Sequence, residues 1–195
     1  MRYTPGSADY TTNDNHNILI SNGGVHEYLI LNNNAMTFRW ITVYTEGASN
    51  ANNHFPKAEG IDEHNRMLNF VSKDKKQLFT LDLAAETWTK TSTVSGAFNT
   101  EPDQIAHILG DSEALYFCED GGTSSDIHGR DSTGKFFTVV QNGGYTNSGK
   151  ETTGIAFSPD SKFMYMAYQQ KSHIYAFWHT DGLPFDALVA EIKYH

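Results

Sequence analysis

Acidic residues recur at matched places in this sequence. Glu59 stands two residues before Ile61, Asp103 two before Ile105, and Glu151 four before Ile155. Carboxylates brought to one place repel unless a cation lies between them. Their hard oxygens favour Ca2+, Mg2+ or Fe3+ over soft metals. A metal held in this way binds phosphate esters and lowers the pKa of a bound water for attack. The stretch "ALYFCEDGG", residues 114–122, raises a related question, since an apolar segment ends there in Cys118, Glu119 and Asp120. One reading is a loop that holds a cation; the other is a polar turn whose acids cap backbone N–H groups after a buried strand. Cys118 itself reads as a small buried hydrophobe, not a nucleophile or ligand.

Other chemistry has less support. The segment 119–131, "EDGGTSSDIHGRD", reads as a long polar loop, and its acids do not follow the EF-hand pattern. His107 and His128 are candidates to line a pocket, and His54 lies five residues before Glu59. The nine histidines lack close ligand spacing and read mainly as surface and turn residues. No G-x-S-x-G, Walker loop or H-E-x-x-H occurs, so those hydrolase routes are not supported.

The elements that must position the acids come from a repeat. Residues 58–94, 102–140 and 152–195 each open with a small turn and an isoleucine. Each continues through a loop, an apolar strand, a polar turn and a further aromatic strand. Units of ~40 to 50 residues with several short strands mark β-propeller blades. Local chemistry agrees: "QLFTLDL" alternates like a strand, and "FSPDSKFMYMAY" reads as strand, Ser-Pro-Asp-Ser turn, strand. "HNILISN", "VHEYLILN" and "MTFRWITVYT", between residues 16 and 45, supply more strands. No segment has sustained helical periodicity. The expectation is an all-β chain, a β-propeller of about four blades or a partial arc of a larger, six-bladed one, over residues 16–195. Residues 1–15 are expected as a flexible N-terminal segment. An arc leaves edges that need another chain or fragment to cover them.

Composition bounds the partners. The chain has 195 residues, enough for one domain with a real core, with 38% apolar and 13% aromatic residues. A formal net charge of −9 and the lack of any basic run argue against nucleic acid and anionic lipid. No apolar run of ~18 residues would insert in a membrane, no apolar N-terminal stretch reads as a signal peptide, and no Asn-x-Ser/Thr site occurs. The single cysteine leaves the redox compartment open.

The ordered segments "AEGID…LNFVSKDKKQLFTLDL", "EPDQIAHI", "LYFCEDGG", "ETTGIAFSPDSKFMYMAYQ" and "TDGLPFDALVAEIKYH" resemble the C-terminal portion of the PhoX-type alkaline phosphatase family, over about residues 57–195. The resemblance implies a six-bladed propeller whose central pocket holds calcium and iron on carboxylates from several blades. Its acidic motifs fall on Glu59, Asp103, Glu119 and Glu151, which are the candidate ligands. It further implies a phosphate ester substrate and an extracytoplasmic location. The family's other half has no counterpart before residue 57. Two functions therefore stand open: a metal-dependent phosphoesterase-like propeller, or a non-catalytic propeller for interaction, adhesion or assembly with at most structural calcium.

Overall fold

The computed structural model describes residues 1–6, 23–108, 114–121, 125–141, 151–169, 172–185 and 195. Its elements, in chain order, are β1 (Arg2–Thr4), β2 (Val25–Asn32), β3 (Thr37–Ile41), α1 (Tyr44–His54), β4 (Ala58–His64), β5 (Met67–Ser72), β6 (Gln77–Asp82), β7 (Thr87–Ser92), β8 (Glu101–His107), β9 (Leu115–Asp120), β10 (Ile127–Arg130), β11 (Phe136–Val140), β12 (Thr152–Phe157), β13 (Phe163–Tyr168) and β14 (His173–Trp178).

All pairing between these strands is antiparallel and mostly between chain neighbours. The sheet orders are β1-β2-β3-β7-β6-β5-β4, β11-β10-β9-β8 and β12-β13-β14. The repeats become blades: β4–β7, β8–β11 and β12–β14 each run outward from a first strand, while β2 and β3 join the first blade through one residue pair, Thr37 with Thr87. The first strands lie side by side, β4 against β8 and β8 against β12. Among the described residues this is the propeller-like arc, all-β apart from one short helix.

Local chemistry sets the hairpins. Asn65 and Arg66 both take positive φ between β4 and β5, as a two-residue turn with the twist of its strands requires. The turns after β2, β5, β6 and β13 end on Met36, Lys76, Glu86 and Ser172, again at positive φ. Asn32 and Asp82 brace two of them by accepting hydrogen bonds from backbone N–H groups two and three residues on.

The core lies between blades, not within one. Leu29, Leu31, Phe38, Phe70, Phe79, Leu81 and Trp88 pack the β2–β3 hairpin on the β4–β7 blade. Val71 and Leu78, on the other face of that blade, pack with Phe98, Ile105, Leu115, Phe117 and Phe136. Cys118, Ile127, Met164 and Met166 join the β8–β11 and β12–β14 blades. A blade inside the arc is therefore apolar on both faces, which is why β6 buries Leu78 as well as Phe79 and Leu81.

Several sequence expectations are corrected here. Tyr44 and Thr45, read as the end of a strand, instead open α1 (Tyr44–His54), a helix where no helical segment was expected. The helix lies along the β2 edge beyond β1: Asn50 accepts from Leu31 N (2.9 Å) and donates to Leu31 O (3.1 Å). Part of the N-terminal segment expected as flexible, Arg2–Thr4, pairs with β2. The supposed loop 119–131 contains the end of β9 and all of β10. "HNILISN" lies outside the described residues.

Candidate functional site

Each first strand carries a bulge just before its isoleucine. The register slips between Ala58 and Ile61 in β4, between Pro102 and Ile105 in β8, and between Thr153 and Ile155 in β12. An extra residue at such a point turns a side chain away from the ladder. Glu59 and Asp103 sit in two of these bulges; Gly154, at φ +59, sits in the third. Glu151 stands just ahead of β12, where its carbonyl accepts from Gln169 N.

The arc brings two of the four sequence candidates, Asp103 and Glu151, into contact, and a third, exposed Glu59, near enough for its charge to be felt. Asp103, 4% exposed, shares a hydrogen bond with the Glu151 carboxyl and feels the charge of Glu59. Burial first, then Glu151 and Glu59, pushes the Asp103 carboxyl up to about 7. A carboxyl buried beside other carboxylates holds its proton more tightly than one in water. Lys73 approaches from the β5–β6 turn. Its ammonium contacts Asp120 and lies 3.9 Å from Glu101. Burial works against its charge, but Asp120, Asp103 and Glu151 together hold its pKa above the ordinary value. The cluster is thus acidic and only partly neutralised by one amine.

Glu119 does not join this group. Its side chain is 1% exposed. Its Oε1 accepts from the N–H groups of Asn99 (3.1 Å) and Thr100 (2.9 Å), and its Oε2 from Asp126 N (3.2 Å) and His128 Nε2 (3.3 Å). Burial opposes its charge, yet the His128 and Thr100 hydrogen bonds outweigh burial and hold its carboxyl below the usual range. Glu119, Asp126 and His128 place ligand-type atoms within 4.8 Å of one another. Glu119 is already saturated by donors, so this network acts as a buried brace of the β9–β10 hairpin. His128 lies stacked on Phe98, ring centroids 4.5 Å apart.

Cys118 is fully buried. Burial pushes its thiol well above its ordinary pKa, and the nearby Asp103 charge adds to that effect, leaving it a packing residue. His54, at the end of α1, packs edge-on to Trp88. The isoleucines that aligned the repeats differ: Ile105 is 6% exposed and Ile61 is 64% exposed. Lys73 is a site residue that sequence reasoning missed, because nothing in "VSKDKKQ" distinguishes it from a solvated turn lysine.

No family model matches the chain, and no curated protein matches it. Among solved structures, the extracellular domain of a putative one component system, BT4673, from B. thetaiotaomicron superposes with a TM-score of 0.52 at 13% identity, over 89% of this chain and 23% of that one. A streptogramin B lyase structure aligns over 63% of this chain and 41% of that one, with a TM-score of 0.42 at 12% identity. The first likeness is to the fold alone. It fits the propeller-like arc, and this chain spans about a quarter of that protein's length. No described helix is long and apolar enough to cross a membrane.

Proposed function

We propose that the chain is a cation-binding propeller arc that takes up Ca2+ on Glu59, Asp103 and Glu151. The observation that supports this is the hydrogen-bonding approach of the Asp103 and Glu151 carboxyls, brought together from two different blades, with the charge of Glu59 nearby. The donor set fits the ion: three carboxylates supply hard oxygens, and a divalent cation relieves repulsion that one proton and Lys73 now offset. Glu119 is left out of the ligand set because its oxygens are engaged elsewhere. Iron, the other metal the PhoX resemblance implies, suits the same oxygen donors. When bound, such a metal supplies Lewis acidity toward a phosphate ester. Lys73 then contributes a fixed cation beside the cluster, and Asp103 a proton that binding must displace. Phosphomonoesterase activity and an extracytoplasmic location are what the PhoX resemblance adds to this reading.

Calorimetric titration of the metal-free protein with CaCl2 at pH 6.5 is the test. Stoichiometric uptake is expected, with a binding enthalpy that depends on the buffer because a proton is released. Asp103→Asn should abolish both uptake and proton release. The absence of uptake by the native chain overturns the reading. Turnover of p-nitrophenyl phosphate by the calcium- or iron-loaded protein tests the enzymatic half separately.

A second reading, assembly, is favoured by one specific face. On the outer side of the last blade, Phe163 pairs with Trp178, Tyr165 with Ala176 and Ala167 with Ile174. Ile174 is 79% and Trp178 61% exposed. Every other blade junction in the arc buries such a row, so this face suits a further antiparallel blade from a partner.

A further inference from the structure

The same two strands that present the acids at one end carry histidines at the other. From Glu59 to His64 along β4 is roughly 16 Å at strand rise, and β8 leads likewise from Asp103 to His107. There a cavity of about 190 Å3 opens between the β4–β7 and β8–β11 blades. His64, Met67, Asn69, Thr80, His107 and Arg130 form the part of its wall that matters here.

The polar groups on this wall include donors from both blades, although His64 Nε2 already meets Asn65 Nδ2 at 2.9 Å, which leaves Nδ1 as its second nitrogen. His107 Nδ1 is held by Asp62 Oδ2, which fixes the ring and leaves Nε2 as its second nitrogen. The His64 ring stacks on it, with centroids 4.8 Å apart. Buried Asn69 has its Oδ1 occupied by Thr80 Oγ1 at 2.7 Å, so its amide nitrogen is what remains to offer. Arg130 makes no ion pair among the described residues, and its buried Nε has no hydrogen-bond partner. Its guanidinium lies 5.9 Å from the Phe136 ring centroid. Burial works against the Arg130 charge, and Asp131 offsets this only in part. Asp131 is itself engaged, with Oδ1 accepting from Thr133 N, Thr133 Oγ1 and Lys135 N.

A half-buried guanidinium with no ion pair among the described residues, beside two imidazoles and an amide, can take a further anion; Asp131 is the one carboxylate on the same wall. Met67 and Leu115 give the same cavity an apolar side. The volume is below that of drug-sized pockets, roughly 300 Å3 and more, and suits a few heavy atoms. We propose that this inter-blade cleft is a binding site for a small organic anion, its carboxylate or phosphate held by Arg130, His64 and His107 and its short stem lying on Met67 and Leu115. The site is separate from the acid cluster and does not depend on cation binding there.

Titration of the full chain with butyrate, with inorganic phosphate and with the neutral butyramide tests this, read by calorimetry and by the imidazole 15N–1H signals of His64 and His107. Butyrate or phosphate should bind and shift both imidazoles, while butyramide should not. Arg130→Gln should weaken binding roughly tenfold or more. His64→Asn, which removes one ring at a half-exposed place, should weaken it even if the Arg130 variant folds poorly. Asp103→Asn should leave anion binding unchanged. Butyrate alone binding identifies a carboxylic acid, and phosphate alone a phosphate-bearing ligand. The site is overturned if neither anion binds at millimolar concentration, if butyramide binds equally, or if anion binding survives both variants.

Discussion

Asp103 is where one side chain controls the most. The folded chain keeps its proton up to about pH 7, while an unfolded chain releases it near the ordinary 3.8. Between those values the folded state binds more protons, so its stability falls as pH rises through that window. We expect a loss on the order of 2–4 kcal/mol from pH 4 to pH 7.5 in chelator, and little such slope in Asp103→Asn, both read by urea denaturation. Added CaCl2 should flatten the native slope. Glu119 has the opposite sign: its depressed pKa adds stability that is present at neutral pH and lost as pH falls through its folded value. Glu119→Gln exchanges one acceptor oxygen for a donor facing Asp126 N and His128 or facing Asn99 N and Thr100 N. A cost of about 3 kcal/mol at pH 7.5 is expected. Calcium affinity should be unaffected, which calorimetry on the same sample checks.

At the scale of elements, the approach of first strands governs the site. A Cβ added at Gly60 would lie 2.5 Å from Ile105 N and 2.6 Å from Asp103 O. Both are backbone atoms of β8 and cannot step aside. Gly60→Ala should therefore cost roughly 3 kcal/mol or more, read as a lower urea midpoint. It should also separate Glu59 from Asp103 and weaken calcium uptake. The strands themselves were legible from alternation and turn residues: "VHEYLILN" is β2 over the same residues, and "FSPDSKFMYMAY" is the β12–β13 turn with β13. The hairpin ends were harder to read, because Met36, Lys76, Glu86 and Ser172 occupy positive φ where a glycine would have announced the turn. The helix α1 was missed for a related reason. "YTEGASNANNH" is poor in strong helix formers and buries only Gly47. It is held by the Asn50 bonds to Leu31, a contact without sequence periodicity.

At the scale of the molecule, the arc has unlike ends. The first hairpin is flanked by α1, with Arg39 paired to Glu46 at 2.9 Å. The last blade exposes Ile174 and Trp178. If a partner blade covers that face, the native protein should associate at micromolar concentration in size-exclusion chromatography with light scattering. Ile174→Glu with Trp178→Ser should then yield a monomer whose urea midpoint is unchanged, since both side chains are exposed in the single chain. A native protein that stays monomeric at all concentrations removes assembly through this face.

The sequence by itself determined the all-β class, the blade period and the acids ahead of Ile61, Ile105 and Ile155. Those features are local: alternation, turn chemistry and repeat spacing are properties of neighbouring residues. The tertiary structure decided which acids meet. Glu119 carries the same charge as Asp103, but the strand pairing turns it toward the N–H groups of Asn99 and Thr100. Asp103 instead faces Glu151 across a blade junction. Lys73, Arg130 and the stacked His64 and His107 gain meaning only when blades pack, because their surroundings come from residues distant in the chain. Spacing gives the order in which residues leave a strand, whereas a charge's neighbours, and hence its chemistry, are fixed by the packing of one blade on the next.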